Sequence, residues 1–185
     1  TTASTSTLAI DSHGGDITNQ QSGNAGGIVS SGTLNIDAQG GRIHNSQGGY
    51  IGASGDTHIS GSRVINQGGS IASNSSLQVS STAADGIAID NTSGGSIQST
   101  ADIKLYAFTA EIANTGGSIV SNNDLRVQSS GKVNNDQGVI KAGHDLSVVD
   151  AGVAGGSALN SATQTLSNQG GTLFAGNNFS SNVTF

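Results

Sequence analysis

Three carboxylates, Asp102, Asp124 and Asp145, stand immediately before Ile103, Leu125 and Leu146, and Asp56 holds the same place before Thr57. If those segments stack, their carboxylates come about 5 Å apart, a spacing that suits a hard cation such as calcium. Thr33, Ser76 and Asn178 fill the same slot elsewhere in the chain. Asp, Ser, Thr and Asn all form turns by bonding nearby backbone, so a turn role outweighs a ligand role. Asp11 and Asp37 form a second equivalent pair with the same ambiguity. Lys104 and Arg126 each lie one residue past the apolar position, beside Asp102 and Asp124. They make either a small basic spot or a pair of solvated charges worth about 0–1 kcal/mol. Tyr106 and Phe108 flank Ala107 in a chain with only 3% aromatics. If both project outward they form a contact spot for a sugar ring or a protein; alternation alone leaves open that Phe108 turns inward. Phe179 and Phe185 are expected to pack into the core.

Other chemistry is absent by residue type. The histidines, His13, His44, His58 and His144, occupy different places in the pattern and form no common ligand column. No metal site and no cofactor is expected. No G-x-S-x-G elbow occurs. Polysaccharide cleavage needs paired carboxylates, and the single Glu is Glu111, so no catalytic residue is assigned. Cys is absent, which removes disulfides, thiolate catalysis and cysteine-ligated zinc. Six Lys and Arg against a net charge of −6 leave no basic stripe for nucleic acid. No apolar run approaches the ~18 residues needed for a membrane-spanning helix.

The elements that carry these residues come from one repeated phrase. Seven copies have an Asn at Asn19, Asn45, Asn66, Asn91, Asn114, Asn135 and Asn168. An apolar residue lies two positions earlier: Ile17, Ile43, Val64, Ile89, Ile112, Val133 and Leu166. A second column runs Ile28, Ile51, Ile71, Ile97, Ile119, Ile140 and Leu173. A third runs Leu8, Leu34, Thr57, Leu77, Ile103, Leu125, Leu146 and Phe179. Apolar spacing by two marks strands, and Gly-Gly pairs after the Asn exclude helix. The third column follows the second by six residues every time, which implies one fixed turn. The step from Asn to the second column is 5 or 6, apart from 9 after Asn19. The remaining connection varies most and carries insertions at 80–88 and 149–165.

Repeats of this length make stacked arrays. The expected fold is all-β: a right-handed parallel β-helix of about seven coils with three short strands each, roughly 34 Å long. A single coil cannot stand alone. Ordering one residue costs about 1–2 kcal/mol of backbone entropy, while each of a coil's few inward side chains returns about 1.5–3 kcal/mol. The Asn column is expected at a tight corner, where Asn adopts left-handed backbone and its amides bond from coil to coil. The Gly-Gly pairs are expected to supply positive φ there. In the sixth copy Gly138-Val139 replaces the pair, which reads as a dispensable second Gly. Residues 1–185 form one repeat segment, and both ends fall in mid-pattern, as in a piece of a longer protein.

The segments Ile-His-Asn-Ser-Gln-Gly-Gly-Tyr-Ile (43–51), Ile-Ala-Asn-Thr-Gly-Gly-Ser-Ile (112–119) and Leu-Ser-Asn-Gln-Gly-Gly-Thr-Leu (166–173) resemble the haemagglutinin repeats of filamentous haemagglutinin-type exoproteins. The resemblance implies a large secreted bacterial surface protein, exported through an outer-membrane partner by two-partner secretion. Its members are adhesins linked to virulence and the stalks of contact-dependent growth-inhibition toxins. It therefore implies a non-enzymatic shaft that contacts a cell-surface receptor, protein or glycan. A polysaccharide-binding or polysaccharide-cleaving β-helix is the alternative. The long insertions depart from the family's regular rod, and 149–165 is the first place to seek a partner contact.

Overall fold

The computed structural model describes residues 6–22, 26–149 and 165–182. These residues form three parallel sheets and no helix. The long sheet has eight strands, among them Thr57–Gly61, Leu77–Ser81, Ile103–Ala107, Leu125–Ser129 and Leu146–Val149. The Asn sheet has seven, among them Arg42–His44, Arg63–Ile65, Ile87–Asp90, Glu111–Ala113 and Lys132–Asn134. The middle sheet also has seven, among them Ser70–Ser73, Ser96–Ser99, Ser118–Ser121 and Val139–Ala142. The chain visits long, Asn and middle sheets in that order and then returns to the long sheet one strand further along. That path is the expected solenoid with three strands per coil.

The strands form because their side chains alternate. In Leu77–Ser81, Leu77 and Val79 are buried while Gln78 is exposed; Ile103 and Leu105 are likewise buried on either side of exposed Lys104. Each column pairs in register with itself, as in Thr57↔Leu77↔Ile103↔Leu125↔Leu146. Ile51↔Ile71↔Ile97↔Ile119↔Ile140 does the same in the middle sheet, and Ile43↔Val64↔Ile89↔Ile112↔Val133 in the Asn sheet. The three columns meet in one core. Thr57 is the one polar member of these columns: fully buried, its hydroxyl lacks a partner among the described residues. Phe179 departs from expectation. It continues the third column opposite Leu146 but is 45% exposed, because its strand is paired on one side only. Phe185 and residues 150–164 of the second insertion lie outside the described residues.

The fixed turn is stapled by a side chain. Ser73, Ser99 and Ser121, two residues past the second column, are buried. Each hydroxyl accepts the N–H two residues on and donates to the carbonyl three residues on, as in Ala101 N–H to Ser99 and Ser99 to Asp102 O at 3.2 Å. The single hydroxyl proton is shared with a carbonyl of the previous coil, as between Ser121 and Ala101 O. Ser30 closes its turn in the same way, while Ala53, Ala142 and Ala175 fill the slot in the other copies with the same six-residue step, so the hydroxyl reinforces the turn and does not set its length.

At the opposite corner the amides form an unbroken chain. Asn19, Asn45, Asn66, Asn91, Asn114 and Asn135 each donate from Nδ2 to the Oδ1 of the next Asn at 2.7 Å, ending on Asn168. All six bonds run the same way. Asn45 through Asn135 are fully buried and donate also to a backbone carbonyl of the next coil, such as Asn91 to Ser118 O at 3.1 Å.

The corner's backbone differs from expectation in two respects. None of the seven Asn residues has positive φ; the left-handed positions follow them. Where the step to the second column is five residues, one residue is left-handed: Gly68, Gly116, Gln137 or Gly170. Where it is six, as after Asn45 and Asn91, two are: Gln47-Gly48 and Ser93-Gly94. The extra residue is absorbed by a second left-handed step. The second Gly is also the indispensable one. A Cβ on Gly49, Gly69, Gly95, Gly117, Gly138 or Gly171 would overlap the carbonyl oxygen of the Asn one coil earlier and its own coil's Asn Oδ1. Gly138 is therefore the second Gly of its coil, and Gln137, at φ 56, has replaced the first.

Two measurements check this corner. Asn91→Ala leaves the Asn66 amide without its side-chain acceptor and Asn114 Oδ1 without its donor, so it should lower stability by about 1–3 kcal/mol in urea unfolding. A change below about 0.5 kcal/mol, the level of an ordinary surface substitution, would sink the ladder's role. Gly117→Ala should depress the melting temperature far more than Gly116→Gln, which copies the Gln137 geometry at a position with open space around it. Equal depression would contradict the steric assignment.

Candidate functional site

The outward side chains of the long sheet lie in rows, because in-register strands place equivalent residues side by side. One row holds Asp56, Ser76, Asp102, Asp124 and Asp145 at the mouths of the fixed turns. The next holds His58, Gln78, Lys104, Arg126 and Ser147, and a third includes Ser80, Tyr106 and Gln128. Shallow grooves between these rows run together along the sheet, the first from Asp56 and His58 to Lys104, the others over Lys104, Arg126 and Tyr106.

The carboxylates of the first row are engaged along the solenoid axis. Asp56 Oδ1 accepts the Ser75 hydroxyl at 2.5 Å and the Ser76 N–H at 3.1 Å. Asp102 Oδ1 accepts the Asn123 amide at 2.6 Å and the Asp124 N–H at 3.3 Å. Asp124 Oδ1 meets His144 Nδ1 at 2.8 Å and accepts the Asp145 N–H at 3.1 Å, and Asp145 Oδ1 accepts the Asn178 N–H at 3.0 Å. Each Asp thus clips its own turn to the turn of the following coil. This is the turn role extended across the stack. Asp11 and Asp37 cap their own corners, accepting the N–H groups of His13 and Gln39.

Column reasoning missed one cluster. Asp124, His144 and Asp145 each bring a ligand atom within 4.8 Å of the others, the one such group among the described residues with donors for a divalent cation. It forms because His144 precedes Asp145 and lies where Asn123 and Asn177 lie in neighbouring coils, one coil from Asp124. The signal was present in the His-Asp dipeptide, but no second His shares the slot. His144 Nδ1 and the Asp145 N–H already occupy Asp124 Oδ1, so the group reads as a hydrogen-bonded clip.

Tyr106 and Phe108 both face outward, with Ala107 buried between them. Tyr106 is half-buried in the groove floor, whereas Phe108 is 53% exposed at the corner where the chain leaves the long sheet. The inward alternative for Phe108 is overturned because Ala107 takes the inward position. Lys104 and Arg126 point outward in adjacent strands. Sequence reasoning did not single out Phe174, 47% exposed on the middle sheet with Lys141 Nζ 5.4 Å from its ring centre.

The first insertion is pinned to the coils on both sides. Arg63 bonds Asp85 at 2.7 Å and the Ile87 carbonyl, and the Thr109 hydroxyl donates to Ala84 O at 2.8 Å. Residues 82–86 thus form a ledge joining Leu77–Ser81 to Ile87–Asp90, at the same corner as Phe108.

A family model described as the haemagglutinin repeat matches residues 1–46, 41–98, 92–170 and 152–184. No curated protein and no solved structure gives a match.

The His144 clip has a defined pH dependence. The bond to Asp124 and the charge of Asp145 hold the imidazole above its usual pKa, and the same bond with the Asp145 N–H holds the Asp124 carboxyl below its own. The imidazole's contribution to stability is full below its unfolded value and fades as pH rises through the raised folded one. The carboxylate's contribution is present above its unfolded value and fades as pH falls through the lowered folded one. His144→Gln should therefore lower the melting temperature at about pH 5.5 and change it little at about pH 9. The effect is small because both groups face solvent. An equal shift at both pH values would count against the clip.

Proposed function

The chain belongs to the haemagglutinin-repeat family, and on that premise we propose that it is a rigid, non-catalytic shaft segment of a large secreted bacterial surface protein that contributes to contact with a cell-surface receptor. Proteins with this repeat are generally secreted surface adhesins rather than enzymes. The parent protein would leave the cell through an outer-membrane secretion partner, and the segment would serve an adhesin or the stalk of a growth-inhibition toxin. The observation that carries the reading is the continuous in-register stack, whose inward rows are spent on folding and whose outward rows differ from coil to coil. A solenoid of this kind projects a contact surface at a fixed distance and orientation.

The polysaccharide-cleaving alternative fits the groove less well. A glycosidase needs one carboxyl whose pKa is raised so that it can donate a proton at neutral pH. Asp124 is pushed the other way by His144 and the Asp145 N–H, and Asp56 by Ser75 and Ser76.

Beads coated with the chain should adhere to epithelial or bacterial cells above albumin-coated beads, and the chain should release no reducing ends from polysaccharides. Absence of adherence to either cell type would sink the contact role. Turnover that vanishes in Asp102→Asn or Asp124→Asn would overturn the non-catalytic one.

A further inference from the structure

We propose that Asp85-Gly86, on the ledge, is a site of spontaneous modification, where the main chain migrates onto the Asp85 side chain and leaves isoaspartate. The chemistry is independent of the contact role proposed above and needs no partner but water. The Gly86 nitrogen attacks Cγ of Asp85. The N–Cγ bond forms, a Cγ–O bond breaks, and the departing hydroxyl takes the amide proton and leaves as water. Water then adds to one of the two carbonyls of the resulting succinimide. Addition at Cγ restores aspartate. Addition at the main-chain carbonyl breaks its bond to the Gly86 nitrogen and gives isoaspartate, with one extra methylene in the main chain. No electrons are transferred and the mass is unchanged.

The stack denies this reaction to other aspartates. The residues after Asp11, Asp37, Asp56, Asp102, Asp124 and Asp145 each donate their N–H to a carbonyl of the next coil, as Thr57 does to Ser76 O at 2.9 Å. A nitrogen held in that way cannot swing toward the preceding carboxyl without breaking its bond. Asp85 lies outside the strands and its side chain is 87% exposed. The Gly86 N–H has no protein acceptor among the described residues. Gly86 also presents no side chain to crowd the attack, and nowhere else in the chain does Gly follow Asp or Asn. Yet Gly is required here: its φ is 61, and a Cβ would stand 3.1 Å from a terminal nitrogen of Arg63. The clamp that pins the ledge thus demands the residue that makes it labile.

Arg63 sets the pace. It holds Asp85 Oδ1 at 2.7 Å, and a carboxylate bound to a guanidinium is a poor electrophile, so the side chain must leave this partner before its Cγ reacts. After migration the extra methylene moves Asp85 and the Ile87 carbonyl apart, and the two no longer fit one guanidinium. Gly86 O, which accepts the Glu111 N–H at 2.8 Å, is carried with them. The ledge beside Phe108 is thereby released.

Incubating the whole chain at physiological temperature and pH tests the site, with isoaspartate detected by isoaspartyl methyltransferase labelling and placed by electron-transfer fragmentation of its peptides. Isoaspartate should form at Asp85 at least about tenfold faster than at Asp56, Asp102 or Asp124, the factor expected when attack must first break a backbone hydrogen bond. Arg63→Gln should speed it about two- to fivefold, the worth of an exposed ion pair. Asp85→Glu, which keeps the charge but would have to close a larger ring, should abolish the signal at that position. The Glu111 N–H should exchange with deuterium faster in the isomerised fraction than in fresh chain. Equal rates at all these aspartates would overturn the assignment. So would the absence of isoaspartate at Asp85 by the time the urea-unfolded chain has formed it there. An unchanged rate in Arg63→Gln, its fold verified by circular dichroism, would overturn the part given to the clamp.

Discussion

Every coil of this molecule completes its backbone hydrogen bonding through its neighbours, and that dependence governs the rest. A parallel strand of two to five residues has no partner within its own coil. Its N–H and C=O groups are satisfied only if the next coil lies in register. Register in turn fixes which side chains meet, so a residue type that suits one coil suits the same place in all. The apolar columns, the Ser staples, the Asp clips and the Asn amides are four answers to that one requirement.

Most of this was legible in the sequence because stacking copies the pattern into space. The three columns pair as their spacing implied, and Leu77, Ile103 and Leu125 meet as counted. What was misread depended on backbone angles that residue identity does not report. Asn suggested a left-handed corner, yet the left-handed residue lies two positions on, as at Gln47, Ser93 and Gln137. The second glycine of the pair read as dispensable, but the first provides a torsion and the second makes room for a carbonyl. The Asp124–His144–Asp145 group escaped notice for a different reason. It joins unlike positions on successive coils, and reading down columns finds only like positions.

Inside and outside of the solenoid follow different rules. Inward positions are held to a narrow choice by packing, and even Thr57 in a column of Leu and Ile leaves a hydroxyl without a partner. Outward positions carry no such restriction, so His58, Gln78, Lys104, Arg126 and Ser147 share one row with five different chemistries. Individual character therefore resides on the surface rows and at the corner where residues 82–86 form a ledge. The core says only that the coils stack.

The chain of amides along the Asn corner has a consequence beyond its rungs. Because each Asn donates toward the higher-numbered neighbour, the small dipoles add, and the shaft is a vector with an acceptor-facing end and a donor-facing end. Two such stacks brought together by like ends would set donor against donor or acceptor against acceptor. Only opposite ends are compatible. A coil added to one end of the row would meet an amide face of opposite character to that at the other end.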